Sequence, residues 1–348
     1  MESLRGERLA NQLLTRPASS PAAVVSAMVA IQAQEFGWAK WALALRSGAS
    51  DAAIEKAFAG GAILRTHPMR GTHHFVAPAD VRWLLALLLP RTLVRTGPRH
   101  GRLGLDPKTL AKALDLIARA LEGGHAKTRA ELGAVLTRAK ISPEGQRLPH
   151  ILMHGEVTSL LCSGPRRGKD ITFMLLDDRA PAQKPRPRTE ALADLATRYF
   201  TTRGPATVRD FVWWSTLTTA DAKLAIGEAG LHADATGHIR GAATTKAKPA
   251  GARLLPMYDE YLVSYAARDL AGVAPAHEAA FLTKSMLGTM VEVAGEIVGT
   301  WTRTTTGALK IHVTPWRKLA PREQALVEEA AVRFAAFVGR EVASFRVG

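Results

Sequence analysis

The sequence predicts an α+β protein with tandem winged-helix (helix-turn-helix) domains followed by a C-terminal β-barrel-like domain. Helical segments followed by a short pair of strands recur up to about residue 251. From Ala252 onward the sequence alternates between apolar and polar residues, as β-strands do. A surplus of 46 Lys+Arg over 31 Asp+Glu gives a net charge of +15, which favours nucleic acid as partner and an anionic membrane second. An Arg-rich proteome is the alternative cause of this charge.

The first predicted domain covers residues 1–105. Ser20-Pro21 is typical of a helix start, with serine as N-cap and proline at the first helical position. Gly60-Gly61 ends the helical part, and a turn at 68–71 joins two strand-like runs into an antiparallel hairpin. The predicted helices are 5–16, 20–32, 38–46 and 51–59, and the strands are 62–67 and 72–77.

The same order predicts a second domain at 106–188 and a third at 189–251. In the second, Thr128 and Glu131 have capping-box spacing, and a basic tip at 165–169 separates two strands. Predicted helices cover 107–121, 128–139, 144–154, 188–202, 206–215 and 218–228, with strands at 160–164, 171–176, 231–236 and 238–244. The fourth domain, 252–348, has strand-like runs at 253–256, 261–265, 289–293, 296–301, 308–313 and 342–347 and a helix at 321–338.

Several kinds of site are excluded by what the sequence lacks. The single cysteine, Cys162, rules out intrachain disulfides and a cysteine-based zinc site, and it favours a cytoplasmic location. No run approaches the roughly 18 apolar residues of a membrane span. Gly164 to Asp170 has the wrong spacing for a phosphate loop, and His277-Glu278 lacks the second histidine of a zincin. We therefore expect no cofactor and no metal.

Basic residues concentrate in three places. No acidic residue occurs between Asp80 and Asp106, although several arginines do, and a merely solvated helix face is the alternative reading. Arginines and histidines also crowd the first hairpin, and the second hairpin has a basic tip. The predicted DNA contacts are Arg65, Arg70, His73, His74, Arg91, Arg95, Arg166, Arg167 and Lys169.

Two glutamines stand out. Gln32 and Gln34 follow a helical apolar run and precede another, where a buried carboxamide without partners would cost roughly 1–3 kcal/mol. They therefore either cap a helix end or face a ligand. Asp259-Glu260 offers a carboxylate pair, but neighbours on a strand point to opposite faces, which favours a solvated or structural role.

Four segments resemble the AlkZ/YcaQ-type winged-helix DNA glycosylases: Ile31-Gln-Ala-Gln-Glu, 63–77, 254–262 and 297–301. They follow the family's order over nearly the whole chain. The resemblance implies three winged helices and a β-barrel arranged as a C around duplex DNA, and excision of N7-alkylated guanines, including bulky or crosslinked adducts. The catalytic signature is Gln-x-Gln in the AlkZ branch and Gln-x-Asp in the YcaQ branch. Gln32-Ala33-Gln34 matches the AlkZ signature, with Ala33 as a small middle residue. The resemblance therefore implies that Gln32 and Gln34 are catalytic.

Carboxamides suffice for this chemistry because an N7-alkylguanine is already cationic and leaves without protonation. Two fixed carboxamide oxygens can position a water beneath C1′ and stabilise an oxocarbenium-like sugar. We therefore expect a monofunctional glycosylase, acting as a monomer on double-stranded DNA that carries alkylated guanine, with Glu35 only solvated. The alternative is a non-enzymatic winged-helix DNA-binding protein such as a transcription regulator, which would need neither the glutamine pair nor the barrel.

Overall fold

Helices dominate the N-terminal two thirds of the chain, and strands dominate the remainder. The computed structural model describes residues 2–241, 247–274, 277, 282–283, 286–304 and 306–348, with the side chains of 282–283 and 286–287 excepted. Short α- and β-elements alternate in it, so the α+β class is confirmed. Within these residues, no helix combines the length and apolar character that crossing a membrane requires.

The N-terminal helices are α1 (Glu2–Asn11), α2 (Pro21–Met28), α3 (Phe36–Ser47) and α4 (Asp51–Ala59). Ser20 caps α2 as predicted, because its hydroxyl accepts a hydrogen bond from the Ala23 N–H. The prediction that this helix reaches Gln32 is wrong. It ends at Met28, Val29 adopts a left-handed φ of 64°, and Ala30–Gln32 form strand β1.

Strand β1 joins the first hairpin, which consists of β2 (Leu64–Met69) and β3 (Thr72–Val76). The sheet order is β1–β3–β2, and β1 runs antiparallel to β3 with Gln32 opposite His74. Both faces of the hairpin are covered, and every residue of β2 is buried. The sheet therefore lies inside the protein.

Helix α5 (Val81–Arg102) follows and continues through Pro90 and Pro98. The second unit contains α6 (Pro107–Leu121), α7 (Arg129–Arg138), α8 (Arg147–Val157), β4 (Leu161–Arg167) and β5 (Asp170–Leu175). Its own apolar core joins Leu110, Ile117, Leu132 and Ile151. The predicted capping box of Thr128 and Glu131 is confirmed.

The third unit contains α9 (Arg188–Arg203), α10 (Val208–Ser215) and α11 (Thr219–Glu228). Two isolated bridges, from Ile239 to Ala206 and to Ala233, occupy the place of the predicted third wing. Residues 242–246 of its second predicted strand lie outside the described residues. Up to residue 241, the structure shows bridges here rather than a regular hairpin.

The C-terminal part is built on an open five-stranded sheet of order β12–β11–β10–β9–β6, a curled half-barrel with two free edges rather than a closed barrel. Its elements are β6 (Ala252–Leu255), α12 (Glu260–Val263), β7 (Leu282–Thr283), β8 (Met286–Leu287), β9 (Met290–Val293), β10 (Glu296–Arg303), β11 (Leu309–Pro315), α13 (Pro321–Phe337) and β12 (Val342–Val347). The predicted strand at 261–265 is wrong, because Asp259 caps the short helix α12 there.

The C-terminal sheet and the N-terminal helices share one apolar core. Phe334 of α13 lies 5.2 Å from Trp41 of α3 and 4.9 Å from Trp301 of β10, measured between ring centroids. The same cluster includes Ile31 and Ala33, so it packs directly beneath the glutamine segment. The first and last parts of the chain therefore form a single packed body.

Candidate active site

The glutamine segment extends the edge strand β1. The Ala33 N–H donates to the His73 carbonyl at 2.7 Å, and the His73 N–H donates to Oε1 of Gln34 at 3.1 Å. The Gln34 side chain thus takes the position of the next backbone acceptor in the ladder. Because a peptide N–H can only donate, the atom facing it must be the carboxamide oxygen, which fixes how this amide is turned. One lone pair of that oxygen and the NH₂ group remain available.

Gln32 is held through its backbone instead. Its N–H donates to Oε1 of Glu260 at 2.8 Å. The Gln32 side chain is half-buried, and its carboxamide makes no hydrogen bond to any described residue. Gln34 lies in a bend beyond the end of β1 and lines a cleft with Arg65 and His73, whereas Gln32 lies opposite His74 in the strand pairing. Ala33, between them, is completely buried.

Glu260 anchors this segment from below. Its second oxygen, Oε2, accepts from Arg203 Nη2 at 2.9 Å and from the Ser264 hydroxyl at 2.6 Å. Arg203 also donates to the carbonyls of Met28 and Ala30, so the pair clamps both sides of the left-handed Val29. Burial opposes ionisation of Glu260, but Arg203 and the hydrogen bonds outweigh it and lower its pKa to about 2.

The sequence-based reading of Asp259-Glu260 is therefore corrected in part. The two carboxylates are neither solvated nor on a strand: both are buried, and each pairs with a buried arginine. Asp259 accepts two hydrogen bonds from Arg46, at 2.7 and 2.9 Å. Their structural role is confirmed, and the link from Glu260 to Gln32 is the part that the sequence did not reveal.

The first hairpin is not a surface wing. Arg65, His73 and His74 were expected to lie at the surface against DNA, and that expectation is wrong: they are 6%, 8% and 0% exposed. The second unit covers one face of the hairpin, and Arg203 and Glu260 lie toward the other. Arg65 donates to the carbonyls of Ala33 and Gln34, so it braces the glutamine segment. Burial lowers the pKa of Arg65 to about 10, which leaves it cationic at neutral pH.

Arg70 lies at the hairpin turn with a left-handed φ of 57°. Its guanidinium donates to the Val263 carbonyl and lies 2.9 Å from Nε2 of His74. Burial and the neighbouring Arg70 hold the pKa of His74 well below its usual value. Arg70 is half-buried and still lines a surface cavity of about 200 Å³ with Arg95 and Arg99. Its DNA contact stays a prediction, as do those of the exposed Arg91 and Arg95.

The other hairpin face carries His67 and His73 against Glu156 of α8. Nδ1 of His67 lies 2.5 Å from Oε2 of Glu156, and Nε2 of His73 lies 3.6 Å from the same oxygen. Desolvation lowers the pKa of His73 to about 3, despite the nearby carboxylate, so its imidazole is neutral. No signal in the sequence pointed to this cluster, because Glu156 lies 89 residues beyond His67.

A cleft of about 860 Å³ opens between the glutamine segment and the second unit. Gln34, Arg65 and His73 line one part of it, and the exposed Arg129 and Lys169 belong to the rest of its lining. Lys169 has no ion-pair partner in the described part of the chain.

The tip arginines next to Lys169 form ion pairs within the protein. Arg166 pairs with Glu55 at 2.6 Å, and Arg167 pairs with Glu131 at 2.8 Å. Both remain exposed, with 31% and 55% of their side chains accessible. Their contacts with DNA stay a prediction.

The fold and the site define a class: a strongly basic α+β protein in which an anchored segment at a sheet edge carries two glutamines, and one of them, Gln34, lines a cleft with cationic residues. The chain matches the family model described as DNA glycosylase AlkZ-like over residues 25–337. It belongs to the AlkZ-like DNA glycosylase family, and it is an enzyme of the hydrolase class that acts on N-glycosyl bonds. The family match does not favour the alternative of a non-enzymatic DNA-binding regulator.

A relative agrees with this assignment, and a solved structure agrees with the fold. The chain is 30% identical over 329 residues to a protein of Streptomyces sahachiroi named an interstrand DNA cross-link repair glycosylase, covering 84% of this chain and 85% of the relative. Its fold is similar to the solved structure of the Streptomyces sahachiroi DNA glycosylase AlkZ, with a TM-score of 0.83 and 24% identity over 100% of this chain and 99% of the other.

Proposed function

We propose that this protein hydrolyses the N-glycosidic bond of N7-alkylguanine in double-stranded DNA, with Gln32 and Gln34 as the catalytic residues. The observation that carries the proposal is the arrangement of the two amides. Gln34 is oriented by a backbone N–H, and Gln32, two residues away in the same anchored segment, has a carboxamide that makes no hydrogen bond to any described residue. A solvated surface pair would need neither the Glu260 anchor nor the Arg65 brace.

The reaction uses charge that the lesion already carries. A cationic N7-alkylguanine departs without a general acid, so the protein needs only to place a water and stabilise the sugar cation. The remaining lone pair of Gln34 Oε1 and the Gln32 oxygen accept the two hydrogens of that water. No lysine nucleophile takes part, so the product is an abasic site. Glu35 is exposed beside the motif and stays a solvated residue.

The cleft beside Gln34 takes the bulk of the lesion or the adjoining backbone. Its volume of about 860 Å³ lies at the upper end of the roughly 300–1,000 Å³ typical of ligand sites. A bulky adduct resists flipping into a snug pocket, and an open cleft lets the enzyme reach C1′ from the groove. The name of the relative, an interstrand DNA cross-link repair glycosylase, extends the proposal to interstrand crosslinks. The role that we propose for this activity is repair or self-resistance.

The surrounding units hold the duplex. We infer that the units at 1–105, 106–188 and 189–251 are winged helices, the first with a buried hairpin and the third with isolated bridges in place of one, and that with the C-terminal half-barrel at 252–348 they form a C around DNA and act as a monomer. The cations assigned to phosphate contacts are Arg70, Arg91, Arg95, Arg166, Arg167 and Lys169. This array is supported by the cleft and by the exposed arginines of α5.

Single-turnover base release from a duplex carrying N7-methylguanine tests the proposal. Gln32→Ala and Gln34→Ala should each slow excision by about 10²–10³ and leave DNA affinity unchanged, as expected for preorganised dipoles. Their combined effect should be less than additive, because both position one water. Gln324→Ala, which removes an exposed glutamine from α13, is the control and should keep the full rate. A double variant with the wild-type single-turnover rate would remove the glutamines from the mechanism.

A further inference from the structure

The interface between the first hairpin and α8 contains three potential metal ligands. One ligand atom from each of His67, His73 and Glu156 lies within 4.8 Å of the other two. All three residues are buried, at 9%, 8% and 0% exposure. They come from β2, β3 and α8, so the cluster joins the first unit, which carries the glutamines, to the second unit.

Hydrogen bonding within the protein leaves this cluster unsatisfied. Both ring nitrogens of His73 and Oε1 of Glu156 are buried without a hydrogen-bond partner among the described residues. Leaving such an atom unpaired opposes folding, and buried polar groups of this kind normally meet a water, an ion or another side chain. A buried imidazole with no partner on either nitrogen is the arrangement that a metal ion satisfies by taking a lone pair.

We propose that His67, His73 and Glu156 bind a zinc ion that ties the first hairpin to α8. Two imidazoles and a carboxylate are a donor set that zinc takes in proteins, with a fourth position left for water. Calcium and magnesium prefer oxygen ligands throughout, so the two histidines argue against them. The single cysteine, Cys162, lies outside this set, so the site depends on nitrogen and oxygen donors alone.

The geometry needs only a small adjustment. Ligand atoms about 2.0–2.1 Å from a tetrahedral zinc lie roughly 3.3 Å from one another. The present separations are 2.5 Å from His67 Nδ1 to Glu156 Oε2 and 3.6 Å from His73 Nε2 to the same atom. The contact of His67 with Glu156 must widen by less than about 1 Å, and that of His73 already fits. The ligand atoms of His67 and His73 lie within 4.8 Å of each other, so this third separation must change by no more than about 1.5 Å.

Arg65 is the charge that opposes a cation here. Its guanidinium and the His73 side chain line the same cleft, and Glu156, which contacts both histidines, supplies the negative charge nearby. Arg65 is held by the carbonyls of Ala33 and Gln34, however, so its hydrogen bonds point toward the glutamine segment and not into the cluster. The metal would therefore lie in the same interface as Arg65, and the negative charge of Glu156 would offset the positive charges of both.

The ion would act by fixing His73. The peptide of His73 accepts from the Ala33 N–H and donates to Gln34 Oε1, so an imidazole fixed by zinc holds the strand that orients Gln34. This makes His67, His73 and Glu156 positioning residues for the site. Metal binding itself is independent of the proposed reaction, since it is measured without any DNA substrate.

The test uses the full-length protein, stripped with a chelator and titrated with Zn²⁺ and separately with Co²⁺. We expect one metal ion per chain by elemental analysis, a higher melting temperature with Zn²⁺, and visible absorption bands of tetrahedral Co²⁺. No bound Zn²⁺ at saturating concentration, or a Co²⁺ spectrum of a six-coordinate ion, would overturn the proposal, whatever the variants do.

Variants then assign the ligands. Glu156→Gln and His73→Asn should each weaken Zn²⁺ binding by more than about 100-fold, since even outer partners of ligands change affinity by 10–100-fold. His154→Asn is the control, because it removes a histidine from the same helix that does not belong to the cluster. Equal Zn²⁺ affinity in the folded wild type and both ligand variants would place the ion elsewhere and refute the site.

Discussion

Replacing Glu260 with glutamine removes the negative charge beneath Gln32 and keeps the shape of the side chain. The amide oxygen of the new residue can still accept from the Gln32 N–H, which donates to Glu260 at 2.8 Å. Arg203, however, loses the carboxylate that it contacts at 2.9 Å, and both groups are fully buried. The Glu260→Gln substitution therefore tests the charge of this side chain separately from its shape.

The expected loss of stability is about 3 kcal/mol at neutral pH. Breaking a buried pair by removing one partner typically costs roughly 3–5 kcal/mol, because the other charge stays buried without compensation. The pKa leads to the same value: a fall from 4.5 to about 2 corresponds to about 3 kcal/mol at about 1.4 kcal/mol per unit. The remaining hydrogen bonds of Arg203 to Met28 and Ala30 favour the lower end of the range.

The pH dependence has a definite sign. The folded pKa of Glu260 lies below its ordinary value, so its contribution is complete above about pH 4.5 and is lost as the pH falls toward 2. Wild-type protein loses this contribution on acidification, whereas Glu260→Gln has none to lose. The difference in unfolding free energy between the two proteins should shrink to roughly less than half by pH 3.

Urea unfolding at pH 7 and pH 3 measures both quantities. Glu329→Gln removes an exposed glutamate from α13 and should change stability by less than about 0.5 kcal/mol at either pH. Excision by Glu260→Gln should also slow, since the strand carrying Gln32 is less firmly held. A loss below about 1 kcal/mol at pH 7, or a gap that is equal at both pH values, would refute the account of this anchor.

Three further outcomes are expected. DNA affinity should fall with salt, with a log–log slope of about −0.9 per neutralised phosphate, and a slope near zero would contradict phosphate-dominated binding. Arg167→Gln combined with Lys169→Gln should weaken DNA binding and change unfolding free energy by less than about 0.5 kcal/mol; unchanged affinity would take the tip out of the interface. In matched duplexes, cationic N7-methylguanine should be released and neutral uracil or 8-oxoguanine retained, so that rapid uracil release would reveal a general acid.

The sequence predicted the elements that depend on local signals. Helix α6 has the predicted bounds, Pro107–Leu121, because Asp106 caps it, proline opens it, and a regular apolar stripe faces the core. The Ala294-Gly295 turn also joins β9 to β10 as expected, with left-handed φ values at both residues. The family resemblance carried by the glutamine segment and three other stretches is confirmed by the family match.

The errors arise where distant residues decide the structure. The apolar residues around Gln32 have helical spacing, yet this segment forms strand β1, which pairs with β3. The N–H of Gln32 donates to Glu260, 228 residues away in the sequence. The first hairpin has the composition of a surface wing, yet elements far along the chain cover both of its faces. Charge and turn residues are visible in a sequence, whereas the neighbours that bury them are not. The catalytic roles of Gln32 and Gln34 stay a prediction.

The shared core beneath the glutamine segment sets the order in which the enzyme becomes active during its synthesis. Ile31 and Ala33 pack in one cluster with Leu254, Trp301 and Phe334. A ribosome adding about 5–20 residues per second makes these partners many seconds after the glutamines have emerged. The second unit has a core of its own and can fold in that interval. With Gln32 and Gln34 in their proposed roles, we therefore expect excision activity only once nearly the whole chain has been made.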